Sequence, residues 1–444
     1  MTNRVIAVPA GVMGAEVPAR GRMVKSKWMA RLLTFLVVFG PGLIVMVADN
    51  DAGAVSTYSQ AGAQYGTHLL WLVAVLLPVT YFVQEMVVRL GIATGKGHAA
   101  MIYQRFGKGW GLFSLLDLEL VNFLTLVTEF ACVHLALTKL GVDPRLGVPA
   151  VAAGLVLITV TGSYRRWERM VMFLCLLDVA WFLLAWKFRP GAAEMAHAAM
   201  GSPVLGGLSA DLVFLVIAIV GTTIAPWQLF FQQSCIADKR LRFSDIPWAR
   251  LDTFVGACVT ISVAVCMMLA GNASRAYGFH FTDPAQMAAD LGTIAGPWVK
   301  NAILLMMINA AVLGTSAISL SSAWAYGEVR GWPHSLELPF REAKGFYAVY
   351  LACVGLAAGL VLIPRAPLQL IILGVQVLAG VMLPSAIIFL QLLLNDKDLL
   401  GEYANKTWNN VVNWTIIAVL FGLSLILAAQ VAAPGLFPAA GGTN

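Results

Sequence analysis

Eleven long apolar stretches constrain the fold of this chain more than any other feature. They cover residues 32–64, 68–92, 110–140, 147–163, 168–188, 208–236, 252–272, 296–326, 346–364, 368–394 and 411–432. A helix needs about 20 mostly apolar residues to cross about 30 Å of hydrocarbon. Because 59% of the residues are hydrophobic and only 12% are charged, the composition argues against a soluble enzyme, a nucleic-acid-binding protein and a disordered scaffold. The sequence predicts an all-α polytopic membrane protein with about 11 transmembrane helices.

Basic residues are distributed unevenly between alternate loops. When the termini and loops are assigned to opposite sides in turn, 22 of the 29 Lys and Arg residues fall on one side. Cytoplasmic loops are enriched in Lys and Arg, so the pattern predicts a cytoplasmic N-terminus and an external C-terminus. The basic segment 1–31 is expected to be a cytoplasmic leader. It has no small-residue cleavage site, and ten more spans follow the first one.

The first and sixth spans are interrupted in their middle. The first contains the polar run Asp49, Asn50 and Asp51, and the sixth reads VGTTIAPWQ with Pro226 at its centre. Proline removes a backbone donor and so frees carbonyl groups near Thr222, and freed groups persist in hydrocarbon only where they line a cavity or meet an ion. The two spans hold corresponding positions in two five-span halves. This pattern favours a transporter's midplane site, with a simple helix kink as the alternative.

Several co-linear motifs resemble the Nramp family of divalent-metal transporters. They are GPG at 40–42, the frame from Asp51 to QAGAQYG at 60–66, RLGIATGK at 89–96, APWQ at 225–228, LP at 383–384 and DKDLLGEYANKTW at 396–408. The resemblance covers most of the chain. It implies a LeuT-type fold with two inverted five-helix repeats, with helices 1 and 6 broken at the midplane, and transport by alternating access.

These spans and the resemblance together predict four segments. They are the leader 1–31, a first repeat over 32–205, a second repeat over 206–395, and helix 11 with the tail over 396–444. The chain has no HExxH motif, no nucleophile–base frame and no GxxxxGK[ST] loop, so we expect neither an enzyme nor an ATP-driven pump. We expect a monomer in a prokaryotic plasma (inner) membrane. Its partners are the lipid bilayer and a transported divalent cation, with no cofactor and no nucleic acid.

The chain departs from the family pattern around the expected ion. Ala54 stands in place of the metal-binding asparagine and Ala225 in place of the methionine ligand; Leu126 and Trp227 replace an aspartate and a histidine tied to proton movement, while Glu129 is retained. This combination resembles the Nramp-related magnesium transporter branch, which takes up Mg2+, also accepts Mn2+ and is described as not proton-coupled. An ordinary proton-coupled Mn2+/Fe2+ transporter is the alternative.

The remaining ligands favour a hard cation. A thioether favours softer transition metals, whereas carboxylate, carbonyl and water oxygens favour Mg2+, Ca2+ and Mn2+. Mg2+ dehydrates reluctantly and usually keeps several waters beside one or two carboxylates. The predicted site therefore has Asp51 as its main anionic ligand and holds a partly hydrated ion. Its members are Asp51, backbone carbonyls of Ala48 and Thr222, the amides Asn50 and Gln376, and the small residues Ala54 and Ala225 that widen the cavity.

Four residues are assigned to the cavity or to a lost proton path: Trp227, Gln228, Leu126 and Glu129. Trp227 either lines the cavity or fills core volume. Gln228 either lines it or forms a helix-to-helix hydrogen bond. Glu129 is alternatively a bundle carboxyl group that is neutral or paired with Arg or the backbone.

Two other ionisable groups have simpler interpretations. Glu85 and Arg89 are spaced four residues apart on one helix, which predicts an ion pair. His134 is alone on an apolar span and is expected to be a hydrogen-bonded core residue.

Overall fold

The computed structural model describes residues 38–160, 162–199, 209–363 and 366–432, most of which are helical. The helices are α1 Pro41–Ala48, α2 Ala52–Tyr65, α3 Leu70–Thr94, α4 His98–Phe106, α5 Lys108–Leu140, α6 Pro144–Thr159, α7 Tyr164–Leu177, α8 Val179–Lys187, α9 Ala192–Ala199, α10 Ala210–Thr223, α11 Pro226–Lys239, α12 Ile246–Ala276, α13 Pro284–Ala295, α14 Pro297–Arg330, α15 Lys344–Val361, α16 Leu368–Leu394, α17 Lys397–Leu400 and α18 Thr407–Ala432. The predicted leader 1–31, the start of the first predicted span and the tail beyond 432 lie outside the described residues.

Nine helical segments in the described ranges are long and apolar enough to cross a membrane. The two other predicted spans are also helical but shorter: the first is divided into α1 and α2, and α6 has 16 residues. The prediction of a multi-pass, all-helical protein is confirmed. The short helices α4, α9 and α13 were not predicted. The expected repeat boundary after residue 205 falls outside the described ranges and stays a prediction.

Glycines let both broken spans pack closely against a neighbouring helix. A Cβ on Gly62 of α2 would lie 1.9 Å from the Met268 carbonyl oxygen of α12, and one on Gly271 of α12 would lie 2.0 Å from the Ser59 carbonyl oxygen. Likewise, a Cβ on Gly221 of α10 would lie 2.0 Å from the Gln376 carbonyl oxygen of α16. Small residues at such contacts let helix backbones approach in a membrane. The segments on either side of the breaks are thereby fixed in position.

The beginning of α1 is capped from another helix. The Asp252 carboxylate on α12 accepts hydrogen bonds from the Gly42 N–H at 2.7 Å and the Leu43 N–H at 3.2 Å. The first N–H groups of a helix have no acceptor within it, and a negative charge is favourable at that end. Pro41 stands at the first position, where a missing N–H has no effect on the helix. The GPG motif therefore starts a short helix, α1, which ends after eight residues at the first break.

Candidate cation site at two helix breaks

The first span breaks at residues 49–51, and Asp51 begins the following helix. All three side chains are at most 3% exposed. The Asp51 Oδ1 accepts a hydrogen bond from the Ala54 N–H at 2.9 Å, so Asp51 is the N-cap of α2. The polar run predicted to interrupt the span thus stabilises the interruption.

Glu129 of α5 completes this break. In a continuous helix the Ala52 N–H would donate to the Ala48 carbonyl, four residues earlier. Instead it donates to Glu129 Oε2 at 3.1 Å. The Ala48 carbonyl therefore loses its helical donor and is available to a ligand.

The sixth span breaks between Thr223 and Pro226. In a continuous helix the N–H of residue 226 would donate to the Thr222 carbonyl, and proline has no N–H. The Thr222 hydroxyl is also buried without a hydrogen-bond partner. Tyr58 of α2 and Thr223 share a hydrogen bond of 2.7 Å between their hydroxyl groups, which connects the two broken spans. Ala225, at 4% exposure, occupies the N-cap position of α11.

Two carboxyl groups meet at the first break. The Asp51 and Glu129 side chains lie next to each other in a fully buried environment, where two neighbouring carboxyl groups do not readily both ionise, so a state in which one of them carries a proton is favoured. Gly314 of α14 lies against both: a Cβ there would be 2.8 Å from the Glu129 carboxyl carbon and 2.9 Å from the Asp51 Cβ. The ion pairs found in the described ranges involve other carboxylates. The pair is therefore a buried acidic centre without a basic side chain to neutralise it.

Asp49 is engaged in a separate chain of hydrogen bonds. Gln228 Nε2 on α11 donates to Asp49 Oδ1. Gln84 Nε2 on α3 donates to Gln228 Oε1 at 2.8 Å. Gln228 thus forms the helix-to-helix hydrogen bond that was one of its two interpretations. Gln84 was not singled out from the sequence, because nothing in its local pattern indicates a contact 144 residues away.

Several amide and carboxyl atoms at the breaks are buried and lack a partner. They include the side-chain nitrogen and oxygen of Asn50, Nε2 of Gln376 and Oε1 of Glu129. Gln376 lies against the first turn of α2, since a Cβ on Gly53 would be 2.0 Å from its Nε2. Buried polar groups in native proteins are normally paired with protein or ordered water. These atoms suit a hydrated ligand.

Direct side-chain ligands are few. Among the described residues, no three His, Cys, Asp or Glu side chains converge in a way that could hold a metal ion. An ion at the breaks would depend on Asp51, the released carbonyls and water, with Ala54 and Ala225 contributing only a methyl group each. This donor set is oxygen-rich and contains no sulfur.

Apolar residues occupy two of the four positions assigned to the cavity or to a lost proton path. Leu126 is fully buried one helical turn before Glu129 on α5. Trp227 is also fully buried, its ring centroid 6.1 Å from that of Phe231, and its Nε1 has no partner. Neither side chain can carry a proton to or from Glu129.

A polar face of α2 leads from the first break to a cavity of about 590 Å3. Ser56 Oγ donates to Gln369 Oε1 at 2.8 Å, and Gln369 Nε2 donates to Gln60 Oε1 at 3.0 Å. Gln60 and Gln369 line the cavity, together with His134. The expectation that His134 is a hydrogen-bonded core residue is wrong: it is partly exposed, and its Nδ1 has no partner.

Residues 42–430 match the family described as natural resistance-associated macrophage protein-like, or Nramp. Among curated relatives, a divalent metal cation transporter MntH of Staphylococcus aureus is 25% identical over 428 residues, which cover 89% of this chain and 91% of that protein. The relatives matched over most of the chain are metal transporters and not enzymes, in agreement with the sequence expectation.

Solved structures show the same fold. The manganese transporter of Eremococcus coleocola, in complex with an aromatic bis-isothiourea substituted compound, superposes with a TM-score of 0.73 at 19% identity, covering 92% of this chain and 90% of that one. MhsT, in complex with L-phenylalanine, gives a TM-score of 0.60 at 14% identity and covers 90% and 98%. The predicted LeuT-type fold is confirmed.

Proposed function

The chain belongs to the Nramp family, and we propose that it carries divalent cations across the membrane, chiefly Mg2+ and also Mn2+, by alternating access without proton coupling. The buried Asp51–Glu129 pair, with no basic side chain beside it, supports cation binding most directly. An intramembrane charge of this kind is costly unless it is paired or meets an ion. Divalent-metal transport is also what the names of the relatives state for those proteins.

The donor set supports Mg2+ and assignment to the Nramp-related magnesium transporter branch. Asp51 supplies an anionic oxygen, and Ala48 and Thr222 supply carbonyl oxygens that have lost their helical donors. Unpaired amides of Asn50 and Gln376 can hold water around an ion that keeps part of its hydration shell. Without a thioether, the site offers softer transition metals no preferred ligand.

Leu126 and Trp227 support the absence of proton coupling. A proton held by the buried Asp51 and Glu129 carboxyl groups would have to leave when a cation binds, so cation binding would depend on pH. With apolar neighbours in α5 and α11, that proton has no relay to a second group and returns to the side from which the cation entered. The same carboxyl pair is the observation that favours the alternative, a proton-coupled Mn2+/Fe2+ transporter.

Uptake by the purified protein in proteoliposomes, with a luminal pH dye and a luminal Mg2+ dye, decides between the two. We expect Mg2+ uptake that leaves luminal pH unchanged and competition between millimolar Mg2+ and Mn2+. Mg2+-driven acidification of the lumen would establish the coupled alternative. If millimolar Mg2+ failed to compete with Mn2+, the Mg2+ assignment would be wrong.

We also propose a monomer in a prokaryotic plasma membrane, with a cytoplasmic N-terminus, an external C-terminus and repeats over 32–205 and 206–395. The uneven distribution of Lys and Arg supports this orientation. Protease accessibility of terminal tags in intact cells tests it: cleavage of an N-terminal tag from outside would contradict it. Size-exclusion chromatography with light scattering tests the monomer.

A further inference from the structure

A second cavity, of about 340 Å3, lies where the C-terminal half of α3 meets the starts of α12 and α18. None of the residues at the helix breaks lines it. The residues that line it include Arg89, Glu85, Arg250, Lys406 and Trp408. Two of the sequence motifs, RLGIATGK at 89–96 and DKDLLGEYANKTW at 396–408, come together here. The transport site uses neither motif.

Arg89 lines this cavity, and its guanidinium group keeps one unused donor. Arg89 is only 4% exposed. Its Nε donates to Glu85 Oε2 at 3.0 Å, and its Nη1 donates to the Tyr403 carbonyl at 3.1 Å. Its Nη2 is buried and has no hydrogen-bond partner. A buried charged donor left unpaired is destabilising, so the geometry indicates an acceptor that belongs in the cavity.

Positive charge exceeds negative charge around that donor. Glu85 is shared between two guanidinium groups, because Arg250 donates to its Oε1 from Nε at 2.9 Å and from Nη2 at 2.6 Å. Lys406 adds a third cation, and Glu402 is the only other carboxylate among the residues that line the cavity. The first turn of the 26-residue helix α18 is also there, and its N–H groups have no acceptor within the helix.

Aromatic side chains border the cavity on its apolar side. Trp408 is 54% exposed and packs edge-on against Phe82, with ring centroids 6.1 Å apart. Tyr81 packs edge-on against the exposed Phe254, with centroids 5.6 Å apart. Amphipathic aromatic residues concentrate where hydrocarbon meets headgroups. A ligand bound by the cations would therefore lie next to exposed apolar surface, which suits a lipid better than a free anion.

We propose that this cavity binds the phosphate of an anionic phospholipid. Arg89 Nη2 donates to a phosphate oxygen, Arg250 and Lys406 supply further positive charge, and an acyl chain lies along Phe82 and Trp408. Arginine forks and basic pockets between transmembrane helices recognise lipid phosphates in this way. The lipid occupies a site separate from the transported cation.

Native mass spectrometry of the full-length protein, titrated with phosphatidylglycerol or phosphatidylcholine, tests the proposal. We expect one phosphatidylglycerol bound in preference to phosphatidylcholine. The double variant Arg250→Gln/Lys406→Gln should weaken that binding by about fivefold for each cation removed. Lys344→Gln, which removes an exposed lysine of α15 that does not line the cavity, should bind like the wild type.

Two single variants separate a loss of lipid binding from a loss of folding. Lys406→Gln alone leaves the Glu85 ion pairs intact, and Arg89→Lys keeps the charge beside Glu85 while it removes the planar fork, so both should fold and bind phosphatidylglycerol more weakly. Equal binding of the two lipids, or unchanged binding by Lys406→Gln and the double variant, would overturn the proposal. Displacement of phosphatidylglycerol by millimolar inorganic phosphate would show a free-anion site and would also overturn it.

Discussion

Asp51 has two roles that a substitution can separate. Its Oδ1 caps α2 by accepting a hydrogen bond from the Ala54 N–H. Its carboxyl group also lies against Glu129 at the first helix break. A neutral amide can cap a helix as well as a carboxylate can. It cannot supply a negative charge to a divalent ion. The structural contribution of this side chain and its proposed ion-binding contribution can therefore be tested apart.

Asp51→Asn should leave the protein folded and lower divalent uptake by at least about a hundredfold, because even outer-shell partners of a metal ligand contribute about 10- to 100-fold. Initial uptake rates in proteoliposomes measure this. Asp178→Asn is a matched control, since Asp178 is another buried carboxyl group, and its hydrogen bond at 3.0 Å is to Asn309 and not to a residue of either break. Normal uptake by Asp51→Asn would exclude this carboxylate as the main ligand.

Glu129→Gln should keep the break but abolish much of the pH dependence of uptake. The amide oxygen can still accept from the Ala52 N–H, so the Ala48 carbonyl stays released. The proton that two carboxyl groups share is no longer needed, and Mg2+ uptake should then vary less between acidic and neutral pH. Glu119→Gln, a substitution on the same helix ten residues earlier, is the control. An unchanged pH profile in Glu129→Gln would mean that this pair does not hold the competing proton.

Ala225→Met tests whether the missing thioether sets selectivity. We expect the Mn2+ preference over Mg2+ to rise by roughly tenfold, which corresponds to one favourable contact of about 1.4 kcal/mol. Because Ala225 is buried, a larger side chain can also perturb packing. Ala225→Leu adds similar bulk without sulfur and should lower uptake of both ions alike. If Met and Leu had the same effect, position 225 would not determine selectivity.

At the scale of elements, the two breaks release a carbonyl by different means. Pro226 lacks an N–H, so the sequence alone predicts that the Thr222 carbonyl is free. At the first break, Ala52 has an N–H, and only the contact with Glu129 on another helix diverts it from Ala48. The position of this break could be predicted from the run 49–51. The role of Glu129 could not, because it depends on packing between residues 77 positions apart.

The short helix α1 is attached at its start by polar contacts that involve three other helices. Lys239 Nζ on α11 donates to the Phe39 carbonyl at 2.8 Å and to Glu168 Oε1 of α7 at 2.7 Å, while Asp252 of α12 caps the first turn. On its other side α1 continues into the non-helical residues 49–51. Since α1 has only eight residues, these contacts decide whether it stays in place.

Glu168→Gln should loosen α1. Loss of the charge-assisted contact to Lys239, about 1.5 kcal/mol, should speed amide hydrogen exchange in residues 41–48 by about tenfold. Hydrogen exchange with mass spectrometry measures this. Arg105→Gln removes a different ion pair, 2.5 Å from Arg105 Nη2 to Asp396 Oδ2, and should leave exchange in α1 unaltered. Equal exchange in Glu168→Gln and the wild type would show that the Lys239–Glu168 contact does not hold the helix.

At the scale of the whole molecule, hydropathy was a good guide to spans and a poor guide to short helices. Each of the eleven stretches contains one helix or a pair of consecutive helices in its described part, because hydrocarbon favours a segment whose backbone groups are paired within it. The helices α4, α9 and α13 lie in connections, where no such requirement makes them visible in the sequence. The two broken spans meet through the hydrogen bond between the Tyr58 and Thr223 hydroxyl groups, a contact that hydropathy could not predict.

Transport by the whole molecule should follow the membrane potential alone. An uncoupled carrier of a doubly charged ion gains about 4.6 kcal/mol per 100 mV, enough for about a thousandfold accumulation at equilibrium. In proteoliposomes, a potassium gradient with valinomycin sets an inside-negative potential, and Mg2+ should accumulate steeply as that potential grows. An inward pH gradient at zero potential should produce no accumulation. Accumulation of Mg2+ under the pH gradient would contradict this, provided that the Asp51→Asn control shows none. It would mean that a proton from Asp51 and Glu129 crosses the membrane with the ion despite Leu126 and Trp227.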